Sequence, residues 1–480
     1  MRVVSPTLPL AARWSLPRVD YALAVPRDAR ARLAFGWLML AVISLIGAGL
    51  FSALLVASRT PFVQNLFPLA DLFHVALVVH VDLSVLVWFV AFAGVFWSLN
   101  CTAAWLAAGW VALAATSAGA AAMAAAAFAG SPRPIMSNYV PVLDSPLFLG
   151  GLVVLATGAG LVVLRAMRAV PRVGAALAGH GALRFALNAA AVSAAIALAA
   201  FAWSWLEVPA ALEGKAYYEL LFWGGGHVLQ FTWTLLMFAA WLWLASESGC
   251  PLPLTPRVAV LLFGIALASV FLTPVIYLAW DVTSVEHHRM LTWLMRFGGG
   301  LTILPIGLAV VYALATTAVR RPEARALRAV LAMSLALFAF GGLIGVTIDG
   351  SNVKVPAHYH GSIVGVTLAF MGVAYLLLPR LGYGQVNARA AQLQAWLYGG
   401  GQMLHIAGLV WSGGYGVQRK VAGAAQGLDG IEKIAGMGLM GFGGLIAVIG
   451  GVMFLVLIFG SVLCGRLQAG PNHTTLAMRR

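Results

Sequence analysis

Charge is what this sequence has least of. Only 9% of its 480 residues are Asp, Glu, Lys or Arg, while 62% are hydrophobic and the mean hydropathy is +0.93. A soluble domain carries about 25% charged residues, so that class is excluded. Acids are scarcer still, 15 against 29 basic residues, which leaves a net charge of +14. The positive excess is spread over many short loops with no basic block, which argues against nucleic acid as a partner. Cysteine is nearly absent. Cys101, Cys250 and Cys464 form no CxxC, no CxxCH and no paired-copper motif. That pattern argues against a disulfide framework and a covalently attached c-type haem. No internal repeat is evident, which weighs against a transporter.

What the chain has in quantity is apolar runs of about 20 residues, the length that crosses a bilayer as a helix. A helix satisfies its own backbone in lipid, so strands are not needed. The fold expected is all-α and integral to the membrane, a bundle of twelve transmembrane helices. The spans fall near 33–57, 73–98, 103–129, 145–169, 184–206, 218–245, 258–280, 290–318, 327–348, 356–379, 393–413 and 434–463. Residues 104–130 are Ala-rich and read as a span packed through small residues. Residues 1–32 read as a cytoplasmic tail without the apolar core of a signal peptide. Residues 33–465 form one membrane domain, and 466–480 form a second tail. Lys/Arg asymmetry sets the orientation. With the N-terminus inside, only Arg59, Arg133, Lys215, Arg289, Arg296, Lys354, Arg419, Lys420 and Lys433 lie outside. Both termini are then cytoplasmic in a multi-pass protein of a bacterial or archaeal inner membrane.

Six histidines fall at one depth near the outer face: His80, His227, His287, His288, His358 and His360. Histidine is costly in lipid and is a common transition-metal ligand. A lone histidine in a span is more often a packing residue than a ligand, but an adjacent pair plus an HxH at matching depth points to a redox metal centre. Each residue of a helix turns about 100°, so His358 and His360 point about 200° apart and serve two centres. His287 and His288 can reach one metal if the backbone there is irregular, with His227 as a third ligand. Three imidazoles leave a coordination position open for chemistry. His74 and His405 read as structural or interfacial, and His180 and His473 receive no role.

These residues, in this order, resemble subunit I of the haem-copper oxidase superfamily, which includes the nitric oxide reductases. LFWGGGHVLQF (Leu221 to Phe231) resembles the family's LFW-xx-GHPxVY segment, and Glu286-His287-His288 its HH pair. The stretch from Val355 to Gly382, opening VPAHYH, is similar to the HxH helix of the B-type branch. Leu393 to Lys420 resembles the following helix with its basic pair. The resemblance implies His80 and His360 as axial ligands of a low-spin haem, of b type. It implies His358 as the proximal ligand of a high-spin haem of b or a type. His227, His287 and His288 would hold copper, with iron as the alternative, and Arg419 and Lys420 would bind haem propionates.

The sequence departs from the oxygen-reducing members at one position above all. Where they carry a tyrosine four residues after the histidine, this chain has Phe231. Tyr277, ten residues before His287, is the one candidate for a tyrosine supplied from the preceding span, and reads better as an ordinary span residue. Nitric oxide reduction tolerates the loss. Gln230, at i+3 from His227, is a candidate to bond the substrate, or else a helix–helix hydrogen bond. Glu286 is a candidate proton donor or further ligand, and Asp82 a weaker one that would pair with a nearby base. Gly350 and Ser351 stand where the family's outer magnesium site has its His-Asp pair, so that site is absent or rebuilt. The resemblance therefore implies a catalytic subunit reducing nitric oxide to nitrous oxide. Its electrons would come from a membrane-anchored cupredoxin or cytochrome subunit. The alternatives are a terminal oxygen reductase, and a non-catalytic haem-binding membrane protein or transporter.

Overall fold

The computed structural model describes residues 19–65, 70–174 and 177–468. The expected tails lie for the most part outside these. Among the described residues, eleven helices are long and apolar enough to cross a membrane: α1 (Ala29–Arg59), α2 (Leu72–Asn100), α3 (Leu106–Ala126), α4 (Pro146–Arg168), α5 (Gly179–Glu207), α6 (Gly214–Glu247), α7 (Pro256–Ala279), α8 (Val285–Thr316), α9 (Pro322–Val346), α10 (Lys354–Arg380) and, last of them, Ile431–Gly465. Between the last two stands α11 (Ala388–Gly414), 27 residues long but less apolar, so the final helix is α12. The protein is thus an almost wholly helical membrane bundle. Between α3 and α4 it carries a short antiparallel hairpin, β1 (Arg133–Ile135) with β2 (Val142–Asp144).

The helix ends follow local chemistry. Asp28, Thr255, Ser284 and Asn387 cap helix N-termini with side-chain oxygens that accept backbone N–H bonds. Pro146, Pro256 and Pro322 sit in first turns, where a missing N–H costs nothing. Arg165, Arg168 and Arg380 stand in last turns, complementing the helix dipole.

Loop contacts sort into two ends. At one, Arg380 pairs with Glu247 at 2.7 Å, the Tyr21 hydroxyl donates to Leu254 O, and Gly384 N donates to Ser461 O. At the other, Val353 N donates to Val417 O, and Arg419 and Lys420 bond the segment around Asn138. Helix α11 starts at the first end and finishes at the second, so it traverses the bundle with its neighbours. We refer to the two ends as inner and outer.

Small residues let the helices approach closely, as expected for the Ala-rich span. A side chain at Gly119 of α3 would run into the α4 backbone at Leu155, with Cα at 2.8 Å. Deep to the histidines the core is aromatic. Trp88, Phe89, Phe92 and Phe96 of α2, and Trp241 and Trp243 of α6, are fully buried, and Phe92 stacks on Phe370 of α10 at 4.8 Å. These buried rings form a floor, and the histidines lie above it.

Two stretches are π-helical, Asp82–Val87 in α2 and Leu294–Gly298 in α8. Such turns insert a residue and often lie at functional sites. The first follows His80 directly, and the second begins six residues after His288. The irregular backbone expected at His287–His288 is thus displaced: the pair lies in a regular first turn capped by Ser284 Oγ.

The α9–α10 contact positions His358 of the HxH, whose Nδ1 meets Gly341 O. A Cβ at Gly361 would meet Gly341 N at 2.6 Å and Leu337 O at 2.9 Å. Overpacking costs about 1–3 kcal/mol, and backbone cannot yield as a side chain does. Gly361→Ile is expected to lower the thermal unfolding midpoint in detergent sharply. Gly342→Ile, where a Cβ meets nothing within 4 Å, is expected to leave it unchanged.

Candidate haem and metal centre

An imidazole has two nitrogens, and a carbonyl oxygen beside one of them forces that nitrogen to be the donor. His80 Nδ1 donates to Ala48 O of α1 at 2.9 Å. His358 Nδ1 donates to Gly341 O of α9 at 2.7 Å. His360 Nδ1 lies 3.1 Å from Gln402 Oε1 of α11. His358 and His360 thus reach different helices on opposite sides of α10, as their spacing requires. His227 Nδ1 donates to Trp223 O at 2.8 Å, and His288 Nδ1 to Ser284 O at 3.1 Å. In these five rings Nδ1 is anchored, the arrangement usual for histidines that ligate through Nε2; of the five Nε2 atoms, that of His227 has a long contact, 3.5 Å to Thr292 Oγ1. His287 is 1% exposed, and neither of its nitrogens has a partner. A buried polar group without a partner is costly, and a metal ion would remove that cost. The donor set fits two haems and a third metal.

The three imidazoles assigned to the third metal are neighbours without being in contact. The Trp223 indole stands 4.7 Å from both the His227 and His288 rings, and His287 and His288 are 6.0 Å apart. Among the described residues no group of three His, Cys, Asp or Glu side chains is already closed around a metal position.

Three glycines precede His227, and each receives an aromatic ring. A Cβ would come within 2.8 Å of Tyr277 Cζ at Gly224, 2.6 Å of Phe201 Cγ at Gly225, and 2.9 Å of Tyr139 Cβ at Gly226. Tyr139 descends from the loop between β1 and β2. Its ring lies 4.8 Å from that of His227, and its hydroxyl accepts from Gln230 Nε2 at 3.2 Å. Sequence reasoning missed Tyr139; the unexplained GGG was the available signal. Tyr277, read as an ordinary span residue, instead packs edge-on to His287 at 4.7 Å, while its hydroxyl bonds Ser204 and Ala200 O.

The remaining candidates are less central. Glu286 is exposed on the first turn of α8, and no hydrogen bond ties it to the histidines beside it. Asp82 does not pair with a base: it is 2% exposed and neither carboxylate oxygen has a partner. His405 is 7% exposed, with its ring 4.5 Å from that of His360 and Nδ1 donating to Met440 O. His74 donates through Nε2 to Lys420 O.

The loop 136–139 caps the outer end. Lys420 Nζ donates to Met136 O at 2.8 Å and Ser137 O at 3.4 Å. Arg419 donates to Asn138 Oδ1 and to Ser351 Oγ, so Ser351 serves as a tether where the family has a metal-site residue. Glu219 accepts from the backbone and side-chain nitrogens of Asn138. Neither Arg419 nor Lys420 has a carboxylate partner among the described residues. Burial, then the charges of Arg419 and Lys215, push the Lys420 ammonium down to about 8. A carboxylate seated there would relieve that repulsion.

A membrane bundle with paired and adjacent histidines beneath its outer face has the architecture of a haem-copper respiratory core. The sequence matches the cytochrome c and quinol oxidase polypeptide I family over residues 32–462, and the chain belongs to that family. It is 28% identical to an uncharacterized protein of Rickettsia prowazekii, with 90% of this chain and 95% of that protein covered. It is 27% identical to an uncharacterized protein of Aquifex aeolicus, with 72% and 85% covered. Its fold is similar to that of a haem-copper terminal oxidase solved as a dimer, at a TM-score of 0.67 and 16% identity, covering 91% of this chain and 85% of that one. The protein is therefore a haem-copper oxidase subunit I and a respiratory oxidoreductase of the membrane.

The depressed Lys420 pKa has a signed consequence for haem-free protein. An unfolded lysine titrates near 10.4, so between about pH 8 and that value the unfolded chain binds the extra proton. Stability then rises with pH across this window. Lys420→Met is expected to remove that rise, as read from thermal unfolding against pH.

Proposed function

We propose that this subunit reduces nitric oxide to nitrous oxide. The observation that carries the reading is Phe231, which places a phenyl ring where oxygen-reducing relatives place a phenol four residues after the ligand histidine. Cleaving O₂ needs an extra electron and proton close at hand. Joining two NO molecules needs only two electrons and two protons, and yields nitrous oxide and water.

In this reading His80 and His360 grip a low-spin haem b, and His358 a high-spin haem of b or a type. His227, His287 and His288 hold copper, or iron as the alternative. Bound there, the metals supply electron storage and an open coordination position. The chain's own residues do the rest. Nδ1 anchors to Ala48, Gly341 and Gln402 keep three rings oriented. The Gln230 amide and Tyr139 hydroxyl, bonded to each other beside His227, and the Thr292 hydroxyl, 3.5 Å from His227 Nε2, are the polar groups offered to a small gas molecule. Trp223, Phe201 and Tyr277 exclude water around them. Arg419 and Lys420 take haem carboxylates through charge-assisted bonds. Protons enter from the outer side, where Glu219 is held against Asn138 next to Tyr139. Glu286 stands at the same face as a second donor. Electrons come from a membrane-anchored cupredoxin or cytochrome subunit, in a bacterial or archaeal inner membrane with both termini cytoplasmic.

One observation favours a second reading, a terminal oxygen reductase: Tyr277 lies against His287 and Tyr139 against His227, so phenols are present although neither occupies the usual position. Purified complex offered NO and O₂ separately decides between them. Fast NO consumption with slow O₂ uptake is expected, and the reverse would overturn nitric oxide as substrate. Metal analysis is expected to give two haems and one further metal. His358→Ala is expected to abolish the high-spin haem spectrum and spare the low-spin one. Equal loss of both would contradict the division of ligands.

A further inference from the structure

Two imidazoles are assigned to the low-spin haem, and their anchors differ in kind. His80 donates to a main-chain carbonyl, Ala48 O. His360 meets a side-chain amide, Gln402, 42 residues away on another helix. Ligation through Nε2 leaves the imidazole proton on Nδ1, so the amide must present its oxygen. The alternative amide orientation would face donor to donor.

Gln402 is held rigidly. It lies between Gly401 and Gly408 of α11, which pack on α12 backbone: a Cβ at Gly401 would meet Gly443 O at 2.8 Å, and one at Gly408 would meet Gly436 O at 2.5 Å. One turn further on, His405 presses its ring against His360 at 4.5 Å and is itself pinned to Met440 O. The α11 backbone is thus fixed against α12, and His405 flanks the His360 ring on one side. This also accounts for a polar stretch in a helix at membrane depth, where an amide is expensive unless it has work to do.

We propose that Gln402 is a positioning residue that sets the reduction potential of the haem held by His80 and His360. Acceptance of the Nδ1 proton makes the ring a stronger electron donor and favours the oxidised iron, one of the levers by which proteins tune haems. The proposal rests on the two-haem reading above.

The test uses the purified complex with its haems, wild type beside Gln402→Leu and Gln402→Glu. The readouts are a redox titration of the low-spin haem band and the g-values of its ferric electron paramagnetic resonance signal. Gln402→Glu offers a stronger acceptor and is expected to lower the potential. Gln402→Leu offers none and is expected to raise it. Each shift should be about tenfold in the oxidised-to-reduced ratio, about 59 mV for one electron. General loosening of the pocket would move both variants in the same direction. Shifts of the same sign, or no shift with the low-spin signal intact, overturn the proposal. If the leucine variant does not assemble, an unchanged potential in the near-isosteric glutamate variant does so alone. Wild-type protein lacking a low-spin haem would instead bring down the two-haem reading, and this proposal with it.

Discussion

Burying an imidazole in an apolar bundle leaves two nitrogens in need of partners. Here the fold supplies one oxygen to each of five rings, always at Nδ1: Ala48, Trp223, Ser284, Gly341 and Gln402. That single hydrogen bond settles the tautomer, aims the ring and frees the other nitrogen. Four of the five oxygens belong to the main chain, so the backbone path itself prescribes where the rings point. Much of the bundle's detail serves this: close approach of α9 to α10 brings Gly341 O to His358, and α11 locked on α12 brings Gln402 to His360.

The second constraint is space. Rings of this size need room beside a helix, and glycine makes that room. Gly345 leaves place for the His358 ring, since a Cβ there would meet Nδ1 at 2.7 Å. Gly224, Gly225 and Gly226 do the same for three aromatics around His227. Below, buried Trp and Phe side chains form the floor on which the histidines rest.

Much of this was legible in the sequence because it rests on periodicity and length. The spans follow from apolar runs, and the opposite faces of His358 and His360 follow from helical geometry alone. Other features depend on tertiary contact and were not legible. Nothing local marks Tyr139, which arrives from a loop some ninety positions before Gln230. Asp82 reads as half of an ion pair, but no base comes near it. The irregular backbone expected at His287–His288 is not there: Ser284 caps a regular first turn, and the π turn comes later, at Leu294–Gly298. α11 is recognisable by length, but its amides and glycines take it below the apolarity of its neighbours.

The Tyr139 loop carries a consequence for biogenesis. It is stitched across the outer end by Lys420, Arg419 and Glu219, with a ring wedged onto Gly226. Tied down in this way, the loop stands across the outer approach to His227. Cofactor insertion must therefore precede the sealing of that loop, or come sideways between helices from the lipid. By the first route maturation would have a fixed order, with the hairpin as its last clasp.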